Sequence, residues 1–280
     1  LQYCTDRMLC FIDWQPNVKG TVAVACAQRL SFDERLQVSG KVQTGYVLLW
    51  SFSDPIHPQF VLEAPCDIFC FRFCPHNADL VVGGLASGQV VLWDLAEARE
   101  AHKLEKALTD DAEGGEGGAN TITAEAKVMS AVDQSHKRTI TDLAFLPPSI
   151  EASERGRFVR KEAKGAEHNQ FLTIAADGQL LVWDVRKAYE ALEQEKEGKK
   201  EDKEKDAKDR GKQKEGWGPS LKMPLSHPET GGELACGYLI LDIPADVEGD
   251  CKMLAVSEDG EFVTVNLHAP TAETNTRGAK

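Results

Sequence analysis

A short motif, in which a glycine turn precedes an apolar segment that ends in Trp, occurs three times in this chain. The copies are residues 45–50, 88–94 and 178–184, and the last two continue with Asp after the Trp. A fourth copy, 259–266, is degenerate because valine takes the place of the tryptophan. The first two tryptophans are 43 positions apart, which is the length of one four-stranded repeat unit. A motif at this period predicts a series of similar sheets.

The repeat is typical of the blades of WD40-type β-propellers. Each copy follows short segments with period-two alternation, bounded by turn residues, as expected of antiparallel strands. We predict an all-β fold, a partial WD40-type β-propeller with about four visible blades of roughly seven. Four blades leave an open edge, so further blades are expected in sequence outside this chain. The predicted blades span about 8–63, 67–132, 136–225 and 235–267.

Three charged segments interrupt the repeats, and one tail follows them. Residues 96–125 form an acidic, Gly-rich insertion, 151–169 a charged loop, and 187–216 a Lys/Glu-rich insertion. In the third segment, acid-before-base pairs at i,i+4 favour an exposed helix, whereas its glycines favour a fluctuating linker. Both interpretations stay open. The tail 268–280 is expected to be disordered.

WD40 blades contain a buried network of a His before the first strand, a hydroxyl on the second, an Asp in the next turn, and the Trp. In the third repeat His136, Asp177 and Trp183 match this pattern, and Ala175 occupies the expected hydroxyl position. The sequence therefore predicts an incomplete network there. The residues that we assign to the structural repeat signature are Trp50, Gly88, Trp93, Asp94, His136, Asp177, Gly178, Trp183, Asp184, Asp259 and Gly260.

Charge and hydropathy exclude two classes of partner. The formal net charge of −13 repels nucleic acid phosphates, so no nucleic acid is predicted as a partner. The longest segment without a charge is 80–93, and three glycines interrupt it. It is too short and too irregular to cross a bilayer, so no membrane partner is predicted either.

The chain offers no residue pattern of a catalytic or metal site. Its eight cysteines are irregularly spaced and lie mostly in apolar segments, which favours reduced, buried thiols in a cytoplasmic protein. Cys66, Cys70 and Cys74 are four residues apart, but zinc sites usually show paired ligands with a second pair at a distance. Ser135 and His136 supply triad-like residue types without a nucleophile elbow. We predict no catalytic residues, no cofactor and no metal.

The residues between the repeats are more specific than the repeats. The linker 53–65, which contains Ser-Asp-Pro-Ile-His-Pro, and the segment 71–94, which contains Phe-Arg-Phe-Cys-Pro and a Gly-Gly pair, together resemble the dynein intermediate chains. Residues 135–143 and 175–178 are most similar to the inner-arm axonemal branch of that family. The resemblance covers 8–95 and 134–186 well and 217–267 loosely.

This resemblance implies a non-catalytic WD-repeat scaffold subunit of an axonemal, inner-arm dynein motor complex. The implied partners are the dynein heavy chain, other intermediate and light chains, and the axonemal microtubule doublet. The implied location is the cytoplasm and cytoskeleton, in the axoneme of a cilium or flagellum. The residues that bind these partners are not predicted. As an alternative, Trp183-Asp184-Val185-Arg186 fits the WD-x-Arg pattern of propellers that act as substrate receptors of cullin ubiquitin ligases.

Overall fold

The chain folds into short strands joined by turns, with two α-helices among the residues that the computed structural model describes. The described residues are 3–28, 30, 33–34, 43–109, 121–153, 158–160, 167–201, 216–243, 251–267 and 273–278. Their elements, in chain order, are β1 (Arg7–Trp14), β2 (Thr21–Gln28), β3 (Gly45–Ser51), β4 (Phe60–Ala64), β5 (Ile68–Cys74), β6 (Asn77–Leu85), β7 (Val90–Asp94), α1 (Leu95–Thr109), β8 (Ile122–Ala124), β9 (Val128–Met129), a 3-10 helix (Val132–Gln134), β10 (Ile140–Phe145), β11 (Ile150–Ala152), β12 (Phe158–Arg160), β13 (Gln170–Ala175), β14 (Gln179–Asp184), α2 (Val185–Glu201), β15 (Leu221–Pro224), β16 (Cys236–Asp242), β17 (Lys252–Ser257), β18 (Glu261–Asn266) and β19 (Glu273–Gly278).

The chain divides into two compact units. Unit 1 comprises Leu1–Ser87 and Val91–Lys127, and unit 2 comprises Gly88–Val90 and Val128–Lys280. Neither described helix is long and apolar enough to span a membrane.

The first sheet of unit 1, which we call blade 1, has the strand order β1-β2-β3-β4-β8. β1 to β4 are antiparallel neighbours, and β8 adds a parallel strand outside β4. β2 is buried along almost its whole length, as expected of a central strand that is covered on both faces. Cys26, Leu48 and Val61 form an apolar cluster in this blade.

Blade 2 contains β5, β6 and β7 in that order, and β5 packs against β1 and β2 within unit 1. Phe71 and Trp93 are fully buried there. Gly83 permits the close approach of Trp93, because a Cβ atom at residue 83 would lie 2.7 Å from the indole Cζ3 atom. β7 begins at Val90, which belongs to unit 2, and there the Ser130 N–H donates to the Val90 carbonyl across 2.9 Å.

Unit 2 contains two four-stranded antiparallel sheets that share one core. Blade 3 has the order β10-β13-β14-β15, and blade 4 has the order β16-β17-β18-β19. β10 and β13 pack against β16. A separate hairpin, β11-β12, is inserted between β10 and β13. The fully buried members of the shared core include Leu172, Ile174, Leu180, Val182, Met253, Val263 and Val265.

These sheets confirm the predicted all-β, partial WD40-type fold. The apolar segments of the repeated motif become β3, β7, β14 and β18, which are the third strands of their sheets. The positive φ angles of Gly88, Gly178 and Gly260 place the motif's glycines in turns, except in the first copy.

The predicted insertions are more regular than expected. Within 96–125, α1 reaches Thr109 and β8 joins blade 1, while 110–120 lie outside the described residues. Within 151–169, β11 and β12 form a hairpin. Within 187–216, α2 extends to Glu201, which supports the helix interpretation up to that point, and 202–215 lie outside the described residues.

The expectation of a disordered tail is wrong at residues 273–278. These residues form β19, which pairs with β18 from Glu273↔Asn266 to Gly278↔Glu261. The physical reason is that β18 would otherwise present a row of unpaired backbone groups at a sheet edge.

Candidate functional site

The third repeat contains a buried polar network that joins three segments of blade 3. His136 precedes β10, Thr173 lies in β13, Asp177 in the following turn and Trp183 in β14. The His136 Nδ1 atom is 3.0 Å from both carboxylate oxygens of Asp177, and its Nε2 atom is 2.9 Å from Thr173 Oγ1. The Trp183 Nε1–H donates to the same Oγ1 across 2.8 Å. The network therefore has all four members of the WD40 pattern.

The sequence prediction of an incomplete network was wrong because it placed the hydroxyl at Ala175. Residues 173 and 175 lie on the same face of β13, since side chains alternate along a strand. Register with β14 pairs Thr173 with Leu181, which brings the hydroxyl within reach of Trp183 two residues on. Thr173 is the sole hydroxyl residue of β13, and that was the signal available in the sequence.

Each proton of the network has an acceptor. Trp183 donates to Thr173 Oγ1. In the neutral His136 tautomer that donates from Nδ1 to Asp177, Nε2 accepts the Thr173 hydroxyl proton. Burial alone would raise the pKa of Asp177, but hydrogen bonds from His136 and from the N–H groups of Lys137 and Gln179 outweigh it and lower that pKa. A fully satisfied, buried network stabilises one arrangement of the blade. All four members of the network are buried, as expected of a structural role.

Aromatic packing extends the network to the segment that follows α2. Trp217 is buried, and its ring centre lies 5.3 Å from that of Trp183 and 6.3 Å from that of Phe171. Its Nε1–H donates to the Asp184 carbonyl across 3.2 Å. The segment that returns to blade 3 after α2 is therefore fixed by the same tryptophan as the network.

The other repeats keep the fold without the full network. In blade 2 the Trp93 Nε1–H donates to the Glu63 carbonyl across 2.9 Å. In blade 1 Trp50 is only half-buried, beside the Cys26 cluster. In blade 4 Asp259 is exposed, and buried Val265 replaces the tryptophan. These blades depend on packing and on backbone pairing.

The Asp that follows the Trp has a role that the motif alone did not indicate. Asp94 Oδ1 accepts the N–H groups of Ala96 and Glu97, at 3.1 and 3.2 Å, and so caps the first turn of α1. Asp184 Oδ1 accepts the N–H of Arg186 across 2.9 Å at the start of α2. Side-chain oxygens at this position stabilise a helix N-terminus. Both helices therefore begin directly from rigid strand ends, at equivalent positions in blades 2 and 3.

α1 is held along its first two turns and exposed beyond them. Lys127 Nζ lies 2.8 Å from Asp94 Oδ2, and Arg99 Nη2 lies 2.6 Å from Asp79 Oδ1. The Arg99 guanidinium also stacks over the ring of Phe60 at 5.2 Å. Further along the helix Leu104 is 65% exposed, between charged side chains that are also exposed. Residues 103–107 of α1 are therefore exposed to solvent.

Arg186, the arginine of the WD-x-Arg pattern, has intramolecular partners. Its Nη2 atom is 2.6 Å from Asp184 Oδ2 and 2.7 Å from Glu151 Oε1. The hydrogen bond to Asp184 is the main reason why the pKa of Arg186 is raised. Gln170 completes the group, because its amide bonds the backbone N–H and carbonyl of Ala152 and lies 3.2 Å from Asp184 Oδ2. These residues line a pocket of about 390 Å³ beside the β11-β12 hairpin. Arg186 thus ties that hairpin to the start of α2.

The cysteines of the described part of the chain do not cluster into a metal site. Cys70 and Cys74 are buried in β5, and the described residues contain no group of three or more His, Cys, Asp or Glu that could hold a metal ion.

Repeated antiparallel blades, glycine turns and the His-Asp-Thr-Trp network define a WD40-repeat protein of the β-propeller class. The particular family follows from comparison with known proteins. Residues 1–243 match the family model described as "Dynein axonemal intermediate chain 3 WD40 domain", and the chain belongs to that family.

Individual relatives agree with this family. The chain is 35% identical over 219 residues to dynein axonemal intermediate chain 3 of Macaca fascicularis, covering 71% of this chain and 23% of the relative. It is 34% identical over 219 residues to the Homo sapiens protein of that name, with the same coverage. A more distant relative, the 70 kDa flagellar outer-arm dynein intermediate chain of Chlamydomonas reinhardtii, is 22% identical over 187 residues, covering 67% of this chain and 25% of the relative. The chain thus spans about a quarter of the length of these relatives, and the predicted resemblance to axonemal dynein intermediate chains is confirmed.

Proposed function

We propose that this chain is the WD-repeat scaffold of an axonemal, inner-arm dynein motor complex and that it binds a dynein heavy chain without catalysing a reaction. The observation that carries the proposal is the family match over residues 1–243, together with relatives named as axonemal intermediate chains. In this role the chain assembles or anchors the motor for ciliary or flagellar movement.

The blades supply the rigidity that a scaffold needs. The network of His136, Thr173, Asp177 and Trp183 leaves each of its buried polar groups with a partner. Preorganised surfaces lose less conformational entropy on binding than flexible ones. A rigid blade can therefore hold its loops and helices in a geometry that suits a large partner.

The helices supply a surface for that partner, and we assign the heavy-chain contact to the exposed half of α1. This half carries the apolar side chain of Leu104 within a charged surface. Its base is fixed by the Asp94 cap and by the ion pair between Arg99 and Asp79. Protein interfaces commonly combine a buried apolar centre with a polar, solvent-accessible rim.

The proposed location is the axoneme of a cilium or flagellum, with assembly in the cytoplasm. Further proposed partners are the other intermediate and light chains of the same complex and the microtubule doublet. The proposed location rests on the names of the relatives, which are axonemal and flagellar dynein intermediate chains. The proposed partners rest on the resemblance to that family.

A pull-down with the full chain from ciliated cells and from the same cells without cilia tests the proposal. We expect dynein heavy chains to be recovered from the ciliated cells, and an ATPase assay of the isolated chain to give no activity above background. Recovery of a cullin-ligase adaptor as the main partner, with no dynein subunit, would contradict it.

Variants of α1 test the assigned contact separately. We expect Leu104→Glu to reduce heavy-chain recovery roughly tenfold or more, because a charge would replace an apolar anchor. Glu100→Gln, on the same helix, is the matched control and should leave recovery unchanged. Full recovery with Leu104→Glu would place the heavy-chain contact elsewhere while leaving the scaffold role intact.

A further inference from the structure

Two thiols from different segments of unit 1 lie next to each other. A turn from Cys4 to Arg7, closed by the Arg7 N–H donating to the Cys4 carbonyl across 3.2 Å, folds the chain back over blade 1. Asp6 has a φ of 59° in this turn, a conformation that Asp tolerates better than most residues. As a result the Cys4 Sγ atom lies 3.6 Å from the Cys26 Sγ atom in β2.

The turn is held in this position by contacts that do not involve the thiols. The Arg7 guanidinium donates to the Thr44 carbonyl across 2.8 Å and to the Cys26 carbonyl across 3.2 Å. It also lies over the ring of Tyr46 at 4.8 Å, and Tyr3 packs edge-on against the same ring at 5.5 Å. The approach of the two sulfur atoms is therefore a consequence of the fold of the turn.

The two thiols differ in their access to solvent. Cys4 is half-buried, whereas Cys26 is fully buried. Burial is the main cause that raises the pKa of Cys26 to about 12, and the nearby Cys4 adds to it. A reagent in solution therefore meets Cys4 first, and Cys26 is placed to react with whatever forms there.

We propose that Cys4 and Cys26 are a peroxide-responsive pair that forms a disulfide. The Cys4 thiolate attacks one oxygen of hydrogen peroxide, so the S–O bond forms, the O–O bond breaks, and the departing hydroxide takes a proton to become water. Cys26 Sγ then attacks Cys4 Sγ, so the S–S bond forms, the S–O bond breaks, and the leaving hydroxide takes the Cys26 proton. The pair loses two electrons, and the peroxide is reduced to two waters.

The geometry suits this pair better than the neighbouring thiol Cys10. A disulfide bond is about 2.05 Å long, so the two sulfur atoms must approach each other by roughly 1.5 Å. The Cys4 turn lies at the surface and can supply that movement. The Cys10 thiol is instead directed at the carbonyls of Ile68 and Ala25, at 3.3 and 3.5 Å.

Trypsin separates the three candidate thiols onto different peptides. Cleavage after Arg7, Lys19 and Arg29 places Cys4 on residues 1–7, Cys10 on 8–19 and Cys26 on 20–29. The full chain is treated with hydrogen peroxide, blocked with N-ethylmaleimide, denatured, digested without reductant and analysed by mass spectrometry. The variant Cys4→Ser removes the pair, and Cys66→Ser, which changes another half-buried thiol, is the matched control.

We expect a linked species of peptides 1–7 and 20–29, lighter by two hydrogens than the two thiol peptides together, in the wild-type chain and in Cys66→Ser. It should be absent from Cys4→Ser, and dithiothreitol should reverse it. A link between peptides 1–7 and 8–19 would overturn the proposal. So would oxidation of Cys4 to the sulfinic acid with Cys26 still a free thiol, or the absence of any oxidation at Cys4. The wild-type map decides these outcomes even if a variant fails to fold, and it does not depend on any dynein partner.

Discussion

The Trp183 indole donates its hydrogen bond to the Thr173 hydroxyl across 2.8 Å, and this bond fixes the end of β14 to the middle of β13. Thr173 also lies 2.9 Å from His136 Nε2, so one hydroxyl joins β13, β14 and the segment before β10. Its removal would leave two buried nitrogen groups without partners. The stability of blade 3 therefore depends strongly on a single oxygen atom.

Replacing Thr173 by Val tests this dependence, because Val keeps the shape and removes the hydroxyl. We expect the free energy of unfolding to fall by about 2–4 kcal/mol, since each buried group left without a partner costs about 1–3 kcal/mol. Thr173→Ser keeps the oxygen and loses one methyl group, at a cost of about 1 kcal/mol. Denaturant unfolding followed by tryptophan fluorescence measures both. Equal losses in the two variants would show that the hydroxyl is unimportant.

Asp177 should make stability depend on pH. Burial alone would raise the pKa of this carboxyl, but its hydrogen bonds with His136 and two backbone N–H groups lower it in the folded state. A carboxyl whose folded pKa is below its unfolded value of about 4 contributes stability above that value and loses it as the pH falls through the folded pKa.

We therefore expect the urea midpoint of the wild-type chain to fall more steeply below about pH 4 than that of Asp177→Asn. Asp259→Asn is the matched control, because Asp259 occupies the equivalent turn of blade 4 and is exposed. Indistinguishable pH profiles for wild type and Asp177→Asn would rule out this contribution.

Local patterns predicted the fold, and non-local pairing limited the prediction of the site. The glycine and the apolar segment of each repeat lie within a few residues of each other, so they form a local signal. This signal correctly located β3, β7 and β14. The hydroxyl was placed at Ala175, two residues beyond Thr173 on the same face of β13. The error arose because the sequence does not define the register between β13 and β14. β19 was missed for a related reason, since its pairing with β18 depends on an available sheet edge.

Asp94 belongs both to the repeat motif and to the start of helix α1. Asp94 was assigned to the repeat signature, and the same residue is an N-cap in front of a segment rich in Ala, Leu, Glu and Lys. Those residue types are good helix formers. The helix was predictable from these residues, but the composition of 96–125 as a whole, which is acidic and rich in Gly, obscured it.

Two glycines with similar backbone angles allow a test of close packing. Gly88 has a φ of 85° and Gly260 a φ of 81°. A Cβ atom at residue 88 would lie 2.1 Å from the His136 carbonyl oxygen. At residue 260, apart from the chain neighbours, no atom of the described residues would lie within 4 Å of it. We expect Gly88→Ala to lower the free energy of unfolding by about 2–4 kcal/mol, from strain and overlap together. Gly260→Ala should cost about 1 kcal/mol, from strain alone. Equal costs, measured by denaturant unfolding, would contradict the packing argument.

Asp94 combines a helix cap with an ion pair, and two substitutions separate these roles. Asp94→Asn keeps an oxygen that can accept the N–H groups of Ala96 and Glu97, and removes the charge that faces Lys127. Asp94→Ala removes both. The loss of a capping oxygen costs about 1 kcal/mol, and a partly exposed ion pair contributes up to about 1 kcal/mol. We expect amide hydrogen exchange at Ala96 and Glu97 to accelerate roughly fivefold more in Asp94→Ala than in Asp94→Asn, because only the former leaves the first turn of α1 uncapped. Equal acceleration in both variants would mean that the contact with Lys127, and not the cap, holds α1 at the end of β7.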